Sequence, residues 1–271
     1  MALHIYTAAV NSPKFIELQA HAFRYYISGH YDFTVFNDAK DFPDYTNGGV
    51  PGGRADIRRT CERLNIPCID ISNGHHQQER YGNASDRCAD SVNVMFDVQR
   101  GTRDRYLTVD SDLFPIHPMS SALYAEYDCA YVEHHRTLCG HRVNYMWPGL
   151  CYVDMATVEP KGLLQWDCMP ALDCGGATTR FLAATRNRLY RIPYMGSQQW
   201  TADQYPASMD TRWRDYAVGD VRSSDGKMWP DIFDNQFMHF RAGSNWDGRP
   251  ADELASRLAK LEHVVMTTCR D

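Results

Sequence analysis

Apolar positions along the first hundred residues follow two alternating rhythms. The unbroken apolar run LHIYTAAV (Leu3 to Val10) predicts a buried strand. Ser12-Pro13 follows as an N-cap with a proline at the first helical position. Phe15, Leu18, Ala22 and Tyr26 then recur at spacings of three and four, one face of an amphipathic helix. Asp32 to Phe36 reads as a second strand ending on Asn37-Asp38, residues near 54–64 as a helix, and CIDIS (Cys68 to Ser72) as a third strand. Ser85 reads as the cap of a further helix with Ala89, Val92 and Phe96 inward, leading to the strand RYLTV (Arg105 to Val109). Strands alternating with helices at this spacing predict an α/β fold. Its central sheet is mostly parallel and Rossmann-like, with helices on both faces.

After about residue 120 the rhythm weakens. Short strands such as CAYVEH and GLCYVDM are separated by loops rich in Gly, Pro, Trp and Tyr, and residues 186–230 show little periodicity. A long segment of that kind is expected to form a binding loop or lid, with Tyr190 to Trp229, including Trp200 and Trp213, on the side of a second substrate. RPADELASRLAKLEHVV closes the chain as a helix with Leu254, Leu258, Leu261 and Val265 inward. No repeat or composition shift marks an independent second domain, so one domain over 1–271 is expected. Residues 1 to about 118 form its more regular half and about 119 to 271 its irregular half.

Composition narrows the class. The chain is 44% apolar and 23% charged, enough to bury a core, and no apolar run approaches the roughly 20 residues of a membrane span. The start MALHIYTAAV lacks the basic and apolar regions of a signal peptide. A net charge of −6 without a basic block argues against nucleic acid as partner. Nine cysteines, an odd number with no C-x-x-C pair, point to reduced thiols and a cytoplasmic location rather than to disulfides or structural zinc. The pairs His75-His76 and His134-His135 are read as strand neighbours facing opposite ways, which argues against metal binding there.

Ligands of such sheets bind at the carboxyl ends of the strands. Four successive strand ends carry small or polar residues: Thr7-Ala8-Ala9, Asn37-Asp38, Asp70 to Asn73, and Asp110-Ser111-Asp112. Asp110 and Asp112, at i and i+2, place two carboxylates on one side of an extended backbone. Like charges that close are costly unless a cation lies between them, and hard dications such as Mn2+ or Mg2+ take carboxylate oxygens while sharing a diphosphate.

An apolar strand ending in D-x-D after about 100 residues of βαβ pattern resembles the nucleotide-sugar-dependent glycosyltransferases of GT-A fold. HFRAGSNW (His239 to Trp246) is similar to the His-x-x-Gly-x-x-Lys-Pro-Trp element of the glycogenin-like and lipopolysaccharide galactosyltransferases, with the glycine one place later, Asn245 for the lysine and no proline. The resemblance implies a metal site of Asp110, Asp112 and His239, with Ser111, Gly243 and Asn245 near the diphosphate. It also implies a nucleoside held by the backbone at Thr7, Ala8 and Ala9, and places Asn37 and Asp38 near the base. Arg80 and Arg87 are candidate diphosphate partners. NYMWPGLCYVDMATV (Asn144 to Val158) loosely matches the family strand lining donor and acceptor, keeping Gly149 and Asp154 but placing Trp147 or Pro148 at its usual asparagine. Asp173, before the double glycine of LDCGGATTRFL, is the leading catalytic carboxylate, acting as general base or donor-sugar partner, and Asp234 competes with it. The implied reaction moves a sugar from a nucleotide-diphosphate sugar to an acceptor hydroxyl, that of a glycan, so the expected partners are a nucleotide sugar and a glycan. Two other readings of D-x-D stay open: a haloacid-dehalogenase-type phosphatase and a non-catalytic nucleotide-sugar-binding module.

Overall fold

Ile5 and Tyr6 are neighbours on one strand, yet they enter different cores. Alternation along a strand sends successive side chains to opposite faces, and here both faces are covered by helices. The computed structural model describes residues 2–40, 53–72, 74–77, 84–195, 202–218, 230–240 and 251–270. In chain order the first half contains β1 (Leu3–Ala9), α1 (Pro13–Tyr26), β2 (Ile27–Ser28), β3 (Tyr31–Asn37), α2 (Arg54–Leu64), β4 (Cys68–Asp70), α3 (Gly74–Gln77), α4 (Ala84–Arg100) and β5 (Arg105–Asp110). The second half contains β6 (Leu113–Pro115), β7 (Met119–Ser120), β8 (Cys129–Leu138), β9 (His141–Asp154), α5 (Thr179–Ala184), β10 (Leu189–Arg191) and β11 (Tyr194–Met195). It ends with α6 (Thr211–Val218), β12 (Asp231–Phe233), β13 (Phe237–His239) and α7 (Ala251–Thr268).

The α/β class with a largely parallel central sheet is as expected. Seven strands run in the order β10-β8-β9-β5-β1-β3-β4. The block β5-β1-β3-β4 is parallel, and β9 is the antiparallel strand between β5 and β8. Register aligns the strand ends, with Ala8 opposite Asp110, Ala9 opposite Asn37, and Asn37 opposite Asp70. The four polar strand ends read from the sequence therefore lie along one edge. A second, antiparallel sheet of short strands, β11-β12-β13-β6, starts where the chain leaves that edge.

On one face of the large sheet, Ile16 and Phe23 of α1 and Ile57 of α2 pack with Ile5, Val35 and Leu107. On the other, Val92, Met95 and Phe96 of α4 meet Tyr6, Phe36 and Tyr106. The amphipathic face read from α1 turns out to be its outer one. Phe15, Leu18, Ala22 and Tyr26 are buried, but against Trp213 of α6 and Leu261 and Val265 of α7. Helix α1 is thus sandwiched, and its sheet-facing residues completed a second apolar stripe that periodicity alone could not rank. Ser12 occupies the N-cap of α1 but makes no side-chain cap bond. Trp213, expected on a substrate surface, is fully buried with its Nε1 donating to Tyr26 Oη at 2.8 Å, so it is a core residue. Trp200 and Trp229 lie outside the described residues. No helix among the described residues is long and apolar enough to cross a membrane.

Candidate active site

Strand β5 delivers Asp110 to the sheet edge, and the chain turns through Ser111-Asp112 before β6 begins. The turn is held from beneath by Gln19 of α1, which is fully buried and donates to the carbonyls of Asp110 (2.8 Å) and Leu113 (2.9 Å). A glutamine among apolar neighbours gave no functional signal in the sequence; here it fixes both sides of the acidic turn. Pairing of β13 with β6 sets His239 opposite Leu113, and Phe240 N–H donates to Asp112 O at 2.8 Å. A residue 127 positions away is thereby placed on the carboxylates. His239 Nε2 lies 3.0 Å from Asp112 Oδ1 and 3.9 Å from Asp110 Oδ2. One ligand atom from each of the three residues falls within 4.8 Å of the others.

Asp112 is buried in this group, whereas the Asp110 side chain keeps 43% of its surface open at the crevice mouth. Burial and the adjacent Asp112 charge push the Asp110 carboxyl up to about 6, an effect that solvent at its open side moderates. Burial alone would lower the His239 imidazole. The charge and hydrogen bond of Asp112, the bond to Asp231 and the charge of Asp110 outweigh it and hold the ring up at about 10. Two carboxylates that repel each other and are partly relieved by the imidazole between them also form a donor set suited to a divalent cation of the Mn2+ type. His239 Nδ1 faces Asp231 Oδ2 at 3.3 Å, from the position directly opposite on β12. Such an outer carboxylate fixes the ring so that Nε2 points inward. Asp231→Asn should therefore weaken Mn2+ affinity about 10–100-fold, read by isothermal titration, with little change in melting temperature. Unaltered Mn2+ affinity would remove Asp231 from that role.

Beside Asp110 lies a crevice of about 310 Å3. Its walls are Ala8 and Thr108 at the strand ends, Ser85, Cys88, Val92 and Met95 of α4, Trp147-Pro148-Gly149 of β9, and Asp173-Cys174. Asp173 and Asp110 thus open onto the same space. Ser85, rather than capping α4, sends its hydroxyl to Asp173 Oδ1. Arg136 Nη2 stands 4.0 Å from the other oxygen. The turn carrying Asp173 needs its glycine. Gly175 has φ +90°, its N–H donates to Trp166 O, and a Cβ there would meet Met146 O at 2.0 Å. Gly175→Ala should cost more than about 2 kcal/mol, since left-handed strain alone is of order 1–3 kcal/mol. For a chain of this size that lowers the melting temperature by roughly 5 °C or more, and a shift within a degree or so would contradict the turn geometry.

Trp147 was singled out only as the residue standing where an asparagine was expected. Its ring stacks between His134 (5.6 Å, 15°) and Phe233 (5.2 Å, 26°) and lies 5.3 Å from His239. It joins the metal-type cluster to the crevice wall as an aromatic surface.

The remaining candidates are scattered more widely. Ala8 lines the crevice; Thr7 and Ala9 are buried beside it, and Thr7 Oγ1 has no partner among the described residues. The Asn37 and Asp38 side chains, expected near a base, are instead turned inward. Asn37 Nδ2 donates to Arg54 O and Asp70 Oδ1, and Asp38 accepts from Ser91. Their burial corrects the expectation that these side chains reach a nucleoside base. Arg87 sits half-buried on α4 and is not part of the crevice wall. Asp234 occupies the turn between β12 and β13 at φ +51°, away from that wall, with its two oxygens accepting from Tyr124 and Tyr190 at 3.0 Å each. Burial raises its pKa and the two tyrosine bonds oppose the rise. A carboxylate so engaged is not placed to act as a base in the crevice, which corrects its candidacy. Arg80, Gly243 and Asn245 lie outside the described residues.

No family model and no curated protein matches this chain. Among solved structures, the galactosyltransferase LgtC in complex with donor and acceptor sugar analogs aligns over 69% of this chain and 72% of its own. The identity is 11% and the TM-score 0.43. Protein A197 from STIV aligns over 70% of this chain and 81% of its own, at 10% identity and TM-score 0.31. Scores this low carry no argument about the site, so its reading stands on the geometry above.

Proposed function

We propose that this chain is a divalent-metal-dependent glycosyltransferase that moves a sugar from a nucleoside diphosphate sugar to an acceptor hydroxyl. The observation that carries the reading is the convergence of Asp110, Asp112 and His239 at the carboxyl edge of the parallel sheet, beside a crevice holding another carboxylate, Asp173. A bound Mn2+ or Mg2+ supplies positive charge to a departing diphosphate. Asp110 and Asp112 provide oxygen donors for the ion, and His239 a nitrogen whose direction Asp231 sets. Asp173 accepts the proton of the attacking hydroxyl at its carboxylate, with the Ser85 hydroxyl steadying one of its oxygens. The Trp147 indole, its two faces covered by His134 and Phe233, presents an apolar edge to the crevice. A glycan is the favoured acceptor, because the crevice offers an aromatic edge and a carboxylate rather than a basic track.

A screen of UDP-, GDP- and dTDP-sugars by thermal unfolding, with Mn2+ and with chelator, tests this directly. At a hundred times Kd a ligand of the native state adds about 2.7 kcal/mol, roughly 5–10 °C for a chain of this size. At least one donor class should give such a rise only with the metal. No metal-dependent rise with any donor would overturn the reading.

A further inference from the structure

His75 and His76, expected on opposite sides of a strand, lie instead on the single turn of helix α3, and both rings turn onto Asp38 at the end of β3. Both side chains and that of Asp38 are almost completely buried, at 4%, 1% and 3% exposed. His75 Nε2 lies 2.8 Å from Asp38 Oδ1, His76 Nε2 lies 3.2 Å from the same oxygen, and the two Nε2 atoms are 3.1 Å apart. Asp38 Oδ1 thus faces both imidazole nitrogens at once. The three ligand atoms lie within 3.2 Å of one another. We propose that Asp38, His75 and His76 form a second metal site, structural in role and selective for a borderline dication of the Zn2+ class.

Tetrahedral bonds of about 2.0–2.2 Å from Zn2+ to imidazole nitrogen and carboxylate oxygen set neighbouring ligand atoms about 3.3–3.6 Å apart, so the observed triangle of 2.8, 3.1 and 3.2 Å would open by only a few tenths of an ångström to take the ion. Two imidazoles with one carboxylate favour Zn2+ over Mg2+ or Ca2+, which take all-oxygen sets. The backbone carbonyl of Asp38 also lies 2.7 Å from His76 Nε2, which ties the ring to the end of β3. Outer partners are also in place. His75 Nδ1 faces Asp90 Oδ2 at 2.6 Å, and Ser91 Oγ donates to Asp38 Oδ2 at 2.7 Å. These contacts direct His75 Nε2 and Asp38 Oδ1 inward, as outer groups do around metal-bound ligands. The site ties β3, α3 and α4 together behind the edge that carries Ala8, and it shares no residue with the Asp110 cluster. It therefore stands apart from the glycosyl-transfer reading.

The test uses the full chain with the crevice cluster disabled by Asp112→Asn. After dialysis against a weak chelator, metal analysis of this variant should find one Zn2+ per chain. Adding His76→Ala should abolish it. Replacement by Co2+ should give the visible absorption of a four-coordinate nitrogen–oxygen site, a readout that serves even where His76→Ala fails to fold. Absence of stoichiometric Zn2+ and of the Co2+ bands in Asp112→Asn overturns the site, as does full Zn2+ retention in a folded His76→Ala variant. If Asp112→Asn retains Zn2+ while no nucleotide sugar binds the wild-type chain, the structural site stands and the transferase reading alone falls.

Discussion

Asp112→Asn is expected to reduce Mn2+-dependent nucleotide-sugar binding by more than about a hundredfold, exceeding the loss caused by removing an orienting outer partner. Asparagine keeps an oxygen for the 3.0 Å contact with His239 Nε2 but removes the charge that a cation would share. Alanine is the harsher change. It strips the main carboxylate partner from a buried imidazole, a loss worth about 3–5 kcal/mol where the charge stays unpaired. Comparing the two variants separates lost metal from lost stability. Titration calorimetry with Mn2+ and a responding nucleotide sugar, with circular dichroism as the fold control, reads both. Unchanged Mn2+ dependence in a folded Asp112→Asn variant would show that the cation, where one binds, is held elsewhere.

The second large effect concerns turnover. Asp173→Asn should lower kcat at least about a hundredfold with little change in donor affinity, the range of a positioned general base. The substitution leaves an acceptor for the Ser85 hydroxyl, so the local turn is preserved. A fall in donor affinity with turnover of bound donor intact would mean that Asp173 holds the donor sugar instead. With neither effect, the residue is a turn position near the crevice and no more. Asp234 does not inherit the role in that case, because Tyr124 and Tyr190 occupy its oxygens.

Residue pattern alone determined the strand–helix alternation from Leu3 to Asp110, the parallel core that follows from it, and the polar strand ends along one edge. Burial on both faces of a sheet leaves continuous apolar runs, and such runs survive as a readable signal without any knowledge of partners. The nearness of Asp110 and Asp112 was legible from their two-residue spacing, although a turn after β5 rather than the extended backbone assumed for them brings the carboxylates together. Motif similarity singled out His239, but its placement depends on strand β13 joining β6, a contact between residues more than 120 positions apart. Gln19 and Asp231 carried no readable signal, and Trp147 only that of a departure from a motif, because each acts through a long-range neighbour. The inward turn of Asn37 and Asp38 and the convergence of His75 and His76 were likewise decided by tertiary packing. A strand reading sends adjacent histidines apart, whereas one helical turn brings both rings to the same carboxylate. Local periodicity records which face of an element is apolar; it does not record which other element will cover it.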